Sequence, residues 1–330
     1  MSRRRRKRKN KYKLLITISL IILAFLYGLY FNEINKSFGL MYDEYGNAIF
    51  NKNNTEKKDN DNNKDNRNTI IEEKDNLKIY FIDVGQADSI LIQNKNEFML
   101  IDAGNNNDGP LLVKYFQSLD IKDFKYIVGT HPHEDHIGGL DDIITNFNIG
   151  TIYIPDAITT TKTFEDLLNS IEKKNMTFTI PKIDNTFNLG NASLKIIYTG
   201  SDTSDLNNTS IVLKMTYGNT TYLFTGDATS STERKILNKD IQADVLKIGH
   251  HGSNYSSTDN FLKKVNPKYA IISVGNNNIY NHPASSTLKK LNDLNIKTYR
   301  TDELGTIILT SDGKNINITN EKTNTNGGKK

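Results

Sequence analysis

The sequence predicts an α+β fold in which two sheets pack face to face with helices on their outer sides. Three observations predict it. Strands come first as hairpins, and strands then alternate with helices through both halves of the folded stretch. All six histidines, and Asp227 with them, fall at the ends of apolar strands. The β-rich sequence starts near Leu77, after a polar run at 51–69 that carries no apolar side chain.

Taken in order, Leu77–Val84 and Asp88–Gln93 are strands turned by Gly85-Gln86-Ala87, and Glu97–Ile101 is a third that ends in Asp102-Ala103-Gly104. A helix over Gly109–Leu119 leads to the strand Tyr126–Thr130. A helix near Leu140–Asn146, a strand Thr151–Ile154 and a helix Phe164–Lys174 complete the first half. Ser193–Tyr198, Ser210–Tyr217 and Thr221–Thr225 read as strands, followed by a short helix Thr232–Leu237 and the strand Ala243–Ile248. Tyr269–Val274, a helix Ser285–Leu294 and strands Lys297–Tyr299, Thr306–Thr310 and Asn315–Ile318 close a domain over 77–318. Residues 319–330 read as a disordered tail.

The charge is divided along the chain. Nine of the 42 Lys and Arg residues lie in the first thirteen positions, leaving 33 against 38 acidic residues, a net −5, for the rest. The folded body therefore exerts no global pull on nucleic acid. Residues 1–13 form a basic segment, and 14–31 (LLITISLIILAFLYGLYF) are uncharged and apolar. Eighteen helical residues rise about 27 Å, close to the hydrocarbon thickness of a bilayer. No small-x-small cleavage site follows. The expectation is a single uncleaved transmembrane helix, with the basic segment cytoplasmic and the remainder extracytoplasmic. Residues 32–76 form a juxtamembrane piece and a disordered linker. The absence of cysteine excludes disulfides and thiolate ligands.

The chemistry is concentrated in His131-Pro132-His133-Glu134-Asp135-His136. In an extended loop, residues two apart point the same way, so His131 and His133 can grip one ion and Asp135 with His136 a second. Imidazole and carboxylate suit zinc, manganese or iron. Asp227 can bridge two ions through its two oxygens. If the strands run parallel toward one edge, Asp227, His250, His251 and His282 meet the histidine loop there.

The pattern His-x-His-x-Asp-His resembles the signature of metallo-β-lactamase fold hydrolases, which implies a four-layer αββα sandwich with a two-metal site at one edge. Four runs, Phe81–Ser89, Ile101–Gly104, Leu246–Ser253 and Tyr299–Gly305, resemble the hydrolase domain of the ComEC family of competence proteins. Ala87 stands where that family has glycine. Many members of the wider fold carry a histidine between the main motif and the bridging aspartate. This chain has none between His136 and Asp227, and Asn207-Asn208-Thr209-Ser210 stands there.

The resemblance implies two divalent ions, zinc or manganese. His131, His133, Asp227 and His250 hold the first, and Asp135, His136, Asp227 and His282 the second. Asp135 also serves as catalytic base and His251 as proton donor, and the roles of His250 and His251 are exchangeable. Asp83 and Asp102 orient ligands, and Asn208 and Ser210 are substrate-binding groups. The implied function is a membrane-anchored phosphodiesterase or nuclease acting on DNA outside the cell, partnered by DNA-uptake machinery. The alternatives are a phosphorylcholine or teichoic acid esterase of the envelope and a binding module stabilised by metal. Asp227, in place of a cysteine, argues against a β-lactamase.

Overall fold

The computed structural model describes residues 76–321 and two short strands upstream, β1 (Met41–Tyr42) and β2 (Ala48–Ile49), which pair antiparallel with each other. The basic segment 1–13, the expected span 14–31 and most of the expected linker lie outside the described residues. Among the described residues, no helix is long and apolar enough to cross a membrane.

Two mixed sheets form the body. The first holds β3 (Leu77–Phe81), β4 (Ser89–Asn94), β5 (Glu97–Ala103), β6 (Asp123–Val128), β7 (Asn148–Tyr153), β8 (Phe178–Thr179), β16 (Thr306–Ser311) and β17 (Ile316–Glu321), in the order β17-β16-β3-β4-β5-β6-β7-β8. The second holds β9 (Thr186–Leu189), β10 (Ala192–Tyr198), β11 (Val212–Tyr217), β12 (Thr220–Phe224), β13 (Val245–Lys247), β14 (Tyr269–Ile272) and β15 (Lys297–Arg300), in the order β15-β14-β13-β12-β11-β10-β9. The central strands are covered on both faces. That is why Ile90–Ile92 and Met99–Ile101 read as unbroken apolar runs rather than alternating ones.

Three apolar layers account for the stacking. Between the sheets, Ile79, Phe81, Ile90, Leu194, Leu213 and Phe224 interlock, with the Phe81 and Phe224 rings stacked at 6.3 Å. The outer face of the first sheet packs on α1 (Gly109–Ser118), α3 (Leu140–Asn146) and α4 (Lys162–Lys173) through Phe116, Ile143 and Leu167. A single-turn helix, α2 (Glu134–Ile137), lies between α1 and α3 in the chain. The outer face of the second sheet packs on α5 (Ser230–Ile236), α6 (Asp259–Val265) and α7 (Ser285–Asp293) through Ile236, Phe261, Leu262 and Leu291. The order helix, sheet, sheet, helix is the predicted four-layer sandwich.

β5, β6 and β7 are parallel, as are β12, β13, β14 and β15. The carboxyl ends of β5, β6, β12 and β13 therefore deliver Asp102, His131, Asp227 and His250 to one edge. At the opposite rim, the hairpin turns clasp one sheet to the other. The Gly190 amide donates to Glu97 Oε2 at 2.5 Å, Asn191 to Asn94 Oδ1 at 2.6 Å, and Asn219 to the Gly313 carbonyl at 2.6 Å.

Several features depart from the expected elements. α6 was not anticipated, although Thr258 caps it by accepting the Phe261 amide, and Phe261, Leu262 and Val265 form its buried stripe. β8 and β9 are short strands in a region expected to be loop. β17 runs on to Glu321, so ordered structure passes the predicted close at 318.

Candidate metal centre

The histidine loop starts where β6 ends. Asp102, at the end of β5, holds it: Oδ1 accepts the Thr130 amide at 2.8 Å and Oδ2 accepts the Thr130 hydroxyl at 2.7 Å. The same Oδ2 lies 2.8 Å from His136 Nδ1. A carboxylate oxygen can only accept, so His136 carries its proton on Nδ1 and turns Nε2 toward the site. His133 is the N-cap of α2, whose first turn carries Asp135 and His136. His131 Nε2 and His133 Nδ1 stand 3.0 Å apart.

Asp227 comes from the turn after β12. Its approach depends on Gly226, which has φ +50° and would place an added Cβ 2.9 Å from Thr130 Oγ1. His250 and His251 follow β13 in two consecutive left-handed conformations, φ 53° and 51°. Each costs a non-glycine residue on the order of 1 kcal/mol, and the pair thereby points its rings in different directions. His251 Nδ1 lies 2.9 Å from the Ser273 carbonyl, which fixes its proton there and leaves Nε2 facing Asp135 and Asp227.

Four of these residues converge. Ligand atoms of Asp135, His136, Asp227 and His251 all lie within 4.8 Å of one another. His136 Nε2 is 3.3 Å from Asp227 Oδ1 and 3.9 Å from Asp135 Oδ2. His251 Nε2 is 3.2 Å from Asp135 Oδ2 and 3.5 Å from Asp227 Oδ2. Atoms bound tetrahedrally at 2.0–2.1 Å are about 3.3 Å apart, so this spacing suits one ion. His136 Nε2, His251 Nε2 and Asp227 Oδ1 are buried and make no well-aligned hydrogen bond, although each faces another member of the group at 3.2–3.3 Å, as donors gathered around a cation would. The donor set fits a divalent metal. His250 Nε2 approaches the same Asp227 Oδ2 at 3.8 Å from another side.

The charges are strongly coupled. Burial acts to raise the Asp227 pKa, but His136 and His251 hold it well below the usual carboxylate range. Burial opposes charge on His136, yet Asp227, Asp102 and Asp135 push it well above the usual imidazole value. His131 is driven well below that value by burial and by His136. His282 falls to about 4 through burial and the neighbouring His250 and His251.

The expected site residues divide between the four-residue group and its surroundings. His251, expected as a proton donor beside the ligands, joins the four-residue group. His282, expected on the second ion, does not join it. Its ring instead packs 5.5 Å from that of His250 and stacks on Tyr280 at 5.8 Å, lining a cleft of about 320 Å³ over the site with Gln86 and Glu134. Ser210, expected to meet substrate, is fully buried, and its hydroxyl accepts the Asp227 amide at 3.1 Å, so it braces the backbone there. Asn208 Oδ1 accepts the hydroxyls of Thr229 and Thr232, and Nδ2 donates to Asp205, which occupies it in loop structure. Asp83 Oδ1 accepts the Gly85 amide and shapes the turn there. Asp102, through Oδ2, orients His136. Asp88 and Lys247, given no role from sequence, form a buried ion pair of 2.8 Å behind His251. The lysine in an otherwise apolar strand was the available signal.

The chain is similar to several known proteins. The family profile of the metallo-beta-lactamase superfamily matches residues 82–276. The chain is 29% identical over 251 residues to ComE operon protein 3 of Bacillus subtilis (strain 168), covering 70% of this chain and 32% of that protein. It is 29% identical over 229 residues to competence protein ComA of Neisseria gonorrhoeae, covering 68% and 31%. The chain thus spans about a third of the length of these relatives. Among solved structures, the metallo-beta-lactamase fold protein YhfI from Bacillus subtilis aligns with a TM-score of 0.48 and 13% identity, over 68% of this chain and 95% of that one. With a buried His/Asp cluster of the kind that holds two metals, set at one edge of an αββα sandwich, this chain belongs to the metallo-beta-lactamase superfamily.

Proposed function

We propose that the chain is a two-metal phosphodiesterase that acts on DNA outside the membrane, in the setting of DNA uptake. The observation that carries the reading is the convergence of Asp135, His136, Asp227 and His251, with Nε2 of both histidines and Asp227 Oδ1 buried and turned inward. The competence relatives supply the DNA context. The anchor over residues 14–31 and the outward placement of the domain rest on the basic N-terminus and belong to the same proposal.

In this reading His131, His133, Asp227 and His250 hold one ion, and Asp135, His136, Asp227 and His251 hold the other. When bound, two divalent ions supply Lewis acidity, lowering the pKa of water and polarising the phosphoryl group. The residues do the rest. Asp102 and Ser273 keep His136 and His251 with Nε2 inward, so neither reorients during turnover. Asp135, partly exposed to the cleft, takes a proton from water on the cleft side. Tyr280, 62% exposed at the mouth and stacked on His282, offers a face to a base.

The test is incubation of the purified full chain in detergent with single- and double-stranded DNA, with manganese or zinc and after chelation. Metal-dependent cleavage is expected. Hydrolysis of a phosphorylcholine ester with DNA left intact would replace this reading with the envelope esterase.

A further inference from the structure

Behind the metal centre, one ion pair joins the two sheets. Lys247 belongs to β13 in the second sheet, and Asp88 immediately precedes β4 in the first. Lys247 Nζ meets Asp88 Oδ2 at 2.8 Å, and the two side chains are 0% and 1% exposed. Replacing a buried ion pair by apolar groups of the same volume is often neutral or stabilising, so burial of this pair is weak grounds for a purely stabilising role.

Its contacts lead to the ligands. Lys247 Nζ also donates to the Ile248 carbonyl at 3.0 Å, at the entry to the turn that carries His250 and His251. Asp88 Oδ1 has no hydrogen-bond partner and stands 3.4 Å from His251 Nδ1. The Asp88 amide donates to the Asp135 carbonyl at 3.0 Å, and the Asp88 carbonyl accepts the Gly104 amide at 2.8 Å. The pair therefore touches the histidine turn of one sheet and the ligand loop of the other.

We propose that the Lys247–Asp88 pair is a positioning strut for the divalent cation shared by Asp135, His136, Asp227 and His251. It sets the separation between Asp135 on one sheet and His251 on the other, and hence the affinity for that ion. The proposal rests on the two-metal reading above.

The experiment measures zinc affinity and stoichiometry of the purified full chain by competition with a chromogenic chelator, alongside melting temperature after chelation. The variants are Asp88→Asn, Lys247→Met and the two combined. The unaltered chain is measured first: failure to bind two ions would remove the two-metal reading itself. The combined variant leaves no unpaired buried charge, so its melting temperature after chelation should stay near that of the unaltered chain. One of its two ions should bind about 10–100-fold more weakly, with the other unchanged. Two ions bound with unaltered affinity would overturn the strut. Should the combined variant fail to fold, the near-isosteric Asp88→Asn decides alone: the same selective weakening supports the strut, and unaltered affinity overturns it.

Discussion

The Ser210 hydroxyl accepts the backbone amide of Asp227 at 3.1 Å, and both residues are buried. A loop of one strand connection thus fixes the carboxylate that lies between the two halves of the metal centre. Ser210→Ala leaves that amide without a partner, which costs about 1–3 kcal/mol. Urea denaturation should show the loss, and metal content should fall with it. Unchanged stability and metal content would mean that another group holds Asp227.

The two neighbouring histidines and His282 should separate by metal analysis. His251→Ala should lose about one ion per chain, because its Nε2 faces Asp135 and Asp227. His282→Ala should keep both ions and lose turnover, as a residue lining the cleft. The reverse pattern would restore His282 as a ligand.

Gly138 packs where an added Cβ would overlap the Asn105 carbonyl carbon and the Asn106 nitrogen. Backbone cannot yield as a flexible side chain can. Gly138→Ala should cost about 1–3 kcal/mol in thermal or chemical denaturation and displace α2, lowering metal affinity as well.

Asp244 joins β12 to β13 away from the metal centre. Its Oδ2 accepts the Thr221 amide and hydroxyl, both at 3.0 Å, and its Oδ1 meets Lys268 at 3.0 Å. Burial works to raise its pKa, but the hydrogen bonds from Lys268 and Thr221 lower it overall. A folded pKa below the unfolded value of about 3.9 gives stability that is present above that pH and lost as pH falls through the folded pKa. Asp244→Asn should be less stable at neutral pH and lose less on acidification. Parallel acid limbs for both proteins would contradict this.

Much of the site was legible because a chain without cysteine leaves histidine and carboxylate as its main metal ligands, and here they gather at strand ends. His131, His133, Asp135, His136 and Asp227 carry that signal in the sequence. Which of His250 and His251 faces Asp135 depends on two successive left-handed residues, a geometry with no signature in residue type. Asn208 and Ser210 show a related limit. A polar residue near a site reads the same whether it meets a substrate or satisfies neighbouring polar groups of the fold, and here it does the latter. In the fold, the long apolar strands were evident, whereas β8 and β9 are brief and draw their stability from tertiary pairing.

The clasped rim separates the fastening of the sheets from the loops around the cleft. The turns around Glu97, Gly190, Asn219 and Gly313 bind the sheets together at the end remote from the chemistry. A change in the loops of the other end, including 276–281 beside His282, touches none of these bonds. Loop substitutions there can therefore alter what the cleft admits, while the frame that aligns its ligands stays fastened from the far end.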